Sequence, residues 1–453
     1  MTNTPTNRRT SRKAPHEPRE LQIAYEKATS LKPDPKNARV HGADQLIRLK
    51  RSLTTFGFIT PIVADVAGKI ICGHARWVAA TELGLPTVPV IRVEHLSAVQ
   101  LRAFAIADNR LTDLSEWNDQ ALALQLKELS ELDLDFSVEA TGFSLPEIDV
   151  RIEALGTSAE TDAADEIPEA LPHPVSRLGD LWYLGDHRVL CGNAIDLSAY
   201  ERLCGTDKAN MVFTDPPYNV PIDGHVSGKG KARHREFAMA AGEMTPAEFR
   251  SFLTATAGAL ATHSAPGSLH YICMDWRHLD EILAAIRTAF ASLVNLCVWV
   301  KTNGGMGSLY RSQHELVLVA KNGRSPHLNN VQLGRFGRNR TNVWTYASVN
   351  QFGRDGDEGN LAALHPTVKP VALVADAILD ATKRGDMVLD PFLGSGSTLI
   401  AAERTGRRCF GIEIDPVYVD TIIRRWERFT GKRALHSSRR PFASLEKERG
   451  ANG

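Results

Sequence analysis

From residue 211 to residue 414 the chain alternates short apolar runs with longer stretches of helical period, and this alternation restricts the fold more than any other feature. Met211–Phe213, Ser268–Cys273, Leu293–Val300, Glu315–Ala320, Met387–Leu389 and Cys409–Ile414 read as strands. Pro246–Ala261, Asp280–Ala291, Pro370–Thr382 and Ser397–Thr405 read as helices between them. A helix between two strands returns the chain to the edge it left, which predicts an α/β domain with a mostly parallel sheet and helices on both faces. Ligands of such a domain sit beyond the carboxyl ends of the strands.

The chain before this region is organised differently. Residues 1–20 are polar and basic without apolar period and predict a disordered arm, with order starting near Leu31. A smaller α+β domain is expected over residues 22–113. Its strand Pro61–Asp65 forms a hairpin with Lys69–Cys72, and a helix runs from Gly73 to Leu83, stopped by Gly84 and Pro86. Val88–Val93 is another strand and Ser97–Asp108 another helix. Helices from Asp119 to about Leu132 and from Pro146 to Leu155 make residues 114–155 a helical extension. Residues 156–174 hold Glu160, Asp162, Asp165, Glu166 and Glu169, with prolines at 168, 172 and 174 and no Lys or Arg. That composition predicts a solvated linker and the main domain boundary. The α/β domain then spans 175–436, and 437–453 reads as a flexible tail.

Composition narrows the class. At 453 residues, with 43% hydrophobic and 23% charged side chains, the chain can bury real cores. The richest apolar run, Leu293–Val300, is broken by Asn295 and falls short of the ~18 residues of a membrane span. No apolar segment follows the polar first residues, so no secretory signal is expected and the default location is cytoplasmic. No two of the six cysteines stand at CxxC spacing, which indicates neither a zinc site nor a disulfide framework, and no metal is expected. Net charge is zero, yet the charge is segregated: Lys301, Arg311, Lys321, Arg324, Arg335, Arg338, Arg340 and Arg354 face the single acid Glu315 between residues 301 and 354. Lys229, Lys231, Arg233 and Arg235 form a second cluster. Either cluster alone could be a solvated face; two in one domain point to a phosphate-tracking surface.

Two motifs sit where predicted strands end. Asp390-Pro-Phe392-Leu-Gly394-Ser-Gly396-Ser-Thr398 follows one strand and opens a helix, so its glycines and free N–H groups can approach a ligand closely. A lone G-x-G can also be only a tight turn, and the Walker lysine and the third dinucleotide glycine are both missing. Glu413 and Asp415 end the next strand, 17 and 19 residues beyond Gly396. Glu413 is the better candidate for ribose hydroxyls, and Asp415, before Pro416, for a helix cap. The earlier motif is Asp215-Pro216-Pro217-Tyr218. An exocyclic amine on a base is a poor nucleophile because its lone pair is delocalised into the ring. A carboxylate at Asp215 and a proline-fixed carbonyl at Pro216 can accept its two N–H bonds and localise that lone pair. Tyr218 offers a face for an extruded base.

In these motifs the sequence resembles the DNA amino-methyltransferases over essentially all of residues 175–430. Asp215–Tyr218 matches their catalytic motif and Asp390–Gly396 their cofactor motif, in the circularly permuted order of the β-class. His365-Pro-Thr367-Val-Lys369-Pro, Trp299-Val-Lys301 and His314-Glu315 are further marks, and Leu190-Cys-Gly-Asn193-Ala-Ile-Asp196 looks like the segment that contacts the cofactor's adenine. Asn193 stands where the family usually has Asp. The resemblance implies a Rossmann-like S-adenosylmethionine-dependent fold, double-stranded DNA as substrate, and transfer to adenine N6, since Asp leads the first motif; Ser there suggests cytosine N4, which stays the alternative. No cysteine follows a proline, so the cysteine nucleophile of C5-cytosine methylation is missing and attack is direct. Thr367 and Lys369 would hold the methionine carboxylate, unless they only lead into the helix at Pro370. Arg311, Arg335, Arg338 and Arg340, with the 229–235 cluster, would track DNA phosphates.

Residues 22–113 resemble the ParB/sulfiredoxin-like domain through Pro35-Lys-Asn37-Ala-Arg39, Gly73-His74-Ala75-Arg76 and Ala107-Asp108-Asn109-Arg110-Leu111. The Gly-x-x-Arg turn of that family binds nucleotide phosphates, which suits a helix N-terminus beside an arginine. Members with an acid in the second position bind or hydrolyse CTP, and His74 departs from that pattern. A nucleotide site, a DNA-docking module and a structural module all stay open for this domain, as does a homodimer. A rival from another class is a ParB-like adaptor whose methyltransferase fold only grips DNA. Intact Asp215, Gly394 and Gly396 speak against it.

Overall fold

The computed structural model describes residues 20–132, 134–155, 163–168, 171, 173–219, 242–301, 309–331, 340–346 and 368–450. It divides into two compact units, 1–143 and 144–453.

The first unit runs β1 (Ile23–Lys27), α1 (Ala43–Phe56), β2 (Ile62–Asp65), β3 (Ile70–Cys72), α2 (His74–Glu82), β4 (Thr87–Val93), α3 (Ala98–Asp113) and α4 (Asp119–Glu131). Its four-stranded sheet has the order β1-β4-β2-β3. Strands β2 and β3 form the expected antiparallel hairpin, β2 and β4 are parallel, and Ile62, Ala64, Ile70, Val88 and Val90 make the core with Ala80. Helix α3 begins in a capping box between Ser97 and Gln100 and runs to Asp113, five residues past its expected end at Asp108. Order also begins earlier than Leu31. Strand β1 is held by main-chain pairing to β4 and by the Glu26–Arg92 ion pair, while Ile23 and Tyr25 stay exposed. An edge strand that buries none of its own residues gives no apolar alternation to read.

The second unit starts with α5 (Leu145–Ala154). It continues through β5 (Leu181–Leu184), β6 (His187–Cys191), α6 (Leu197–Cys204), β7 (Ala209–Thr214), α7 (Pro246–Thr262), β8 (Ser264–Met274), α8 (Leu279–Ala289), β9 (Ser292–Val300), β10 (His314–Lys321) and β11 (Val343–Thr345). It closes with α9 (Val371–Ala381), β12 (Met387–Asp390), α10 (Ser397–Arg404), β13 (Arg408–Glu413), α11 (Pro416–Thr430), β14 (Leu435–His436) and α12 (Phe442–Gly450). Ten strands form one sheet in the order β11-β9-β10-β8-β7-β12-β13-β6-β5-β14. The middle, β8-β7-β12-β13-β6, is parallel as predicted, but β10 runs antiparallel to both β8 and β9, and β5 to β6 and β14. Both faces are covered. Along β7, Met211 and Phe213 enter one buried cluster and Val212 the other, and on β12 Val388 and Leu389 divide in the same way. This is the α/β, Rossmann-like fold the sequence implies, with the parallel core bounded by antiparallel strands. Among the described residues no helix is long and apolar enough to cross a membrane.

Three boundary expectations change. The division falls at residues 143/144, so α4 and α5 of the expected helical extension belong to different units. Helix α5 is held within the second unit by buried Asp149, which pairs with Arg407 at 2.9 Å and Arg384 at 2.7 Å. The acidic segment expected to be a solvated linker packs against the second unit where it is described: Ala164 and Ile167 are buried, and Asp165 accepts the Val371 N–H at 2.8 Å. The expected flexible tail contains α12, whose Phe442 and Leu445 are buried, Phe442 against Trp182. Acidic composition hid the first of these contacts and the short length of the second segment hid the other.

Candidate active site

Parallel pairing of β7 and β12 brings the ends of both strands, and so both motifs, to one edge of the sheet. The joint is explicit. Thr214, the last residue of β7, donates from its hydroxyl to Asp390 Oδ1 at 2.9 Å, while Asp390 also accepts Phe392 N–H at 3.1 Å and Thr398 Oγ1 at 2.7 Å. Asp390 was expected among the cofactor contacts; these three protein donors make it the buried strut between the two motifs, and burial pushes its carboxyl up to about 6. Tyr218 and Phe392 pack against the same apolar cluster.

Asp215 follows Thr214, with Pro216 buried and Pro217 and Tyr218 partly so. Its carboxylate accepts the Tyr218 hydroxyl and pairs with the Lys369 ammonium. Lys369 also pairs with Glu315 at 2.9 Å, and Glu315 pairs with Lys301. Two ammoniums and two carboxylates thus form one largely buried cluster, with Tyr218 donating to Glu315 at 3.3 Å and its ring 5.7 Å from Lys369 Nζ. Burial works against the Glu315 charge, but Lys369 and Lys301 pull its carboxyl down to about 2. Burial, reinforced by Glu315, raises Asp215 despite Lys369. Burial alone would lower Lys369, yet the two carboxylates hold it protonated, well above its ordinary range. The sequence placed Lys369 near a ligand carboxylate; here its partners are the carboxylates of Asp215 and Glu315. The roles of Glu315 and Lys301 were missed. The available signal was a lone acid opening an apolar strand and a lysine closing its neighbour, both at the ligand edge.

On the other side of the joint, Gly394 (φ 53°) donates to Glu413 Oε2 at 2.8 Å, and Asp415 N–H donates to Glu413 Oε1 at 2.9 Å. Glu413 is buried and its carboxyl is pushed up to about 7 by that burial. Gly396 (φ 88°) occupies the cap position of α10, and Asp415 caps α11 through Val417 N–H, as its place before Pro416 suggested. A glycine not singled out from sequence is Gly411 on β13: a Cβ there would lie 2.4 Å from Leu393 Cδ2. Asn193 follows β6, next to β13, and accepts Ile195 N–H at 3.1 Å. Asn219 adopts a left-handed φ of 53°, which Asn tolerates; its amide donates to Met244 O at 2.7 Å and accepts from Gly242 and Met244, joining the two sides of the 220–241 stretch.

The expected DNA contacts fare unequally. Lys229, Lys231, Arg233, Arg235, Arg335 and Arg338 lie outside the described residues, as does Thr367. Arg311 is exposed, three residues before β10. Arg340 corrects its expectation: it pairs with Asp376 at 2.7 Å and Asp380 at 2.8 Å on α9 and donates to Tyr346 OH, so its charge is spent inside the fold. In the first unit Gly73 (φ 95°) caps α2, His74 Nε2 accepts Asp34 N–H at 3.1 Å, and Arg76 reaches Pro61 O at 3.3 Å. Asn109 donates to Ala105 O of its own helix, and Arg110 is exposed beside it on α3.

Residues 209–424 match the family model described as DNA methylase, of the N6/N4 type. This chain carries a DNA methylase domain. Ahead of that domain, residues 13–110 match the ParB N-terminal domain and 120–178 the ParB-methyltransferase helix-turn-helix domain. The type II methyltransferase M2.DpnII of Streptococcus pneumoniae is 28% identical over 237 residues, which cover 49% of this chain and 83% of that protein. The type II methyltransferase M.HpaI of Haemophilus parainfluenzae is 26% identical over 253 residues, 52% and 72% of the two chains. Among solved structures, the M1.HpyAVI–SAM complex aligns with a TM-score of 0.37 and 20% identity over 52% of this chain and 98% of that one. The DNA methylase domain therefore holds both motifs and the charge cluster between them, whereas Asn193 precedes the matched residues.

Proposed function

We propose that this protein transfers a methyl group from S-adenosylmethionine to the N6 amino group of adenine in double-stranded DNA, the target base being extruded onto Tyr218. The observation that carries this reading is the Thr214–Asp390 hydrogen bond, which ties the residue before Asp215 to the first residue of the glycine-loop motif.

The residues present suit the cofactor. A carboxylate has about four acceptor directions. Among the described residues Gly394 and Asp415 take one on each oxygen of Glu413, leaving one on each for two vicinal ribose hydroxyls. Phe392 belongs to the same loop as Gly394, and Asn193 follows β6, the strand paired with β13. Bound S-adenosylmethionine supplies a methyl group on a sulfonium, electrophilic enough for an amine to attack.

The chain's own part is to make the amine nucleophilic and to take its proton. Asp215 accepts one N–H of the amino group and the Pro216 carbonyl the other, which draws the nitrogen lone pair out of the ring. Lys369 and Tyr218 hold the Asp215 carboxylate in place without consuming every lone pair. A carboxylate whose proton affinity burial has raised is a fitting acceptor for the proton that the nitrogen sheds. Arg311 and the basic stretches would contact phosphates.

Asp215→Ala should abolish transfer of labelled methyl to DNA in a variant that still folds, Lys369 keeping Glu315 as its partner, with a lowered but cooperative thermal melt. Mass spectrometry of the nucleosides should show N6-methyladenine. N4-methylcytosine in its place would replace adenine as the target, and full activity of the Ala variant would reject the mechanism. A purely DNA-gripping adaptor need not bind S-adenosylmethionine, so calorimetric titration with it separates the two classes.

A further inference from the structure

Residues 163–165 form a single tight turn ahead of the DNA methylase match, within the segment whose composition suggested a linker. This turn touches both walls of the site. Asp165 Oδ1 accepts the Val371 N–H at 2.8 Å. That N–H opens α9, whose cap residue, Pro370, makes no side-chain capping bond, and Lys369 immediately precedes it. Ala164 O accepts Arg425 Nη2 at 2.7 Å, and the other arm of the same buried guanidinium donates to Ser395 O of the glycine loop at 2.9 Å. Ala164 and Ile167 are buried, so the turn is anchored on both sides of Asp165.

The physical consequence is positional. A helix that starts at a proline depends on an outside acceptor for its first N–H, and that acceptor sets where the preceding residues stand. Lys369 is two residues away and reaches both Asp215 and Glu315. Removing the acceptor frees the start of α9 and lets the ammonium drift from Asp215. We infer that Asp165 is a positioning residue for the methylase site, fixing Lys369 through the N-terminus of α9 while its neighbour Ala164 fixes the glycine loop through Arg425. This inference rests on the function proposed above.

The test uses the full chain with three substitutions. Asp165→Ala should lower kcat by about 10- to 100-fold, the size of loss that a shift of about 1 Å produces, with KM for DNA within about twofold. Hydrogen–deuterium exchange should show faster exchange in the peptide containing Val371. Asp165→Asn keeps an acceptor at the same place and should restore both readouts. Glu166→Ala removes only the exposed Glu166–Arg428 pair and should change neither. Wild-type kcat in the Asp165→Ala variant overturns the inference, whether or not exchange rises. So does an equal loss in Asp165→Asn with Val371 still protected. If the Ala variant melts below the assay temperature, the Asn variant decides: it must be folded, protected at Val371 and active. A wild-type protein that transfers no methyl group, or an Asp215→Ala variant as active as wild type, would instead sink the proposed function.

Discussion

Lys369 stands between two carboxylates, and the balance among these groups sets when Asp215 is charged. Burial raises the Asp215 pKa most, Lys369 lowers it, and the neighbouring Glu315 adds to the rise. Because Asp215 must be ionised to accept the amine N–H, activity falls as pH drops through its raised pKa. Glu315→Gln removes the like charge and should move the acid limb of the kcat–pH profile to lower pH. Lys369→Met removes the cation, should move the limb to higher pH, and should destabilise the fold by about 3–5 kcal/mol by leaving buried carboxylates short of a partner. Limbs that coincide with wild type in both variants would detach Asp215 from the profile. Glu413 makes a second prediction. Its carboxyl sits at about 7 in the free protein, and ribose donors would favour the ionised form. Affinity for S-adenosylmethionine should therefore rise with pH up to about 7 and level off above, with proton release on binding below it. A calorimetric Kd that does not change between pH 6 and 8 would remove Glu413 from the ribose contact.

At the scale of elements, the glycine loop folds tightly over β13. Gly411 is glycine because Leu393 of the loop fills the space a Cβ would need. Gly411→Ala should cost about 1–3 kcal/mol by overpacking and should weaken S-adenosylmethionine binding, since Leu393 neighbours Gly394. Unchanged melting and affinity would show that the loop moves aside freely. Helices were the more legible elements: capping boxes at Ser97 and Thr245, and the Asp415–Pro416 start of α11, are written locally. The hairpin of β5 and β6 was not anticipated, although its turn at Gly185 and Asp186 was a local signal that went unused.

The whole second unit draws on segments far from its motifs. Phe442, near the C-terminus, packs against Trp182 in the same core that holds Val388 and Phe213. Phe442→Ala should cost about 3–5 kcal/mol, lowering Tm in thermal melts of the full chain. Wild-type melting would return the end of the chain to the status of a tail. Arg340 makes the complementary point about charge: its place in a basic run suggested phosphate contact, but α9 supplies Asp376 and Asp380 as its partners. A cluster counted along the sequence carries no information about which members meet an acid in the fold.

The sequence by itself determined the alternation of strands and helices, the two strand-end motifs and the helix caps, because each depends on side-chain period or chemistry within a few residues. From these it also placed Asp215, Tyr218, Gly394 and Glu413 at or just past the carboxyl ends of their strands, where the structure has them. Only the tertiary structure decided that Asp390 is a strut, that Lys369 sits between Asp215 and Glu315, that Arg340 is spent internally and that Asp165 caps α9. Each of those depends on partners tens to hundreds of residues away, and which distant groups meet is fixed by sheet order and packing rather than by local pattern.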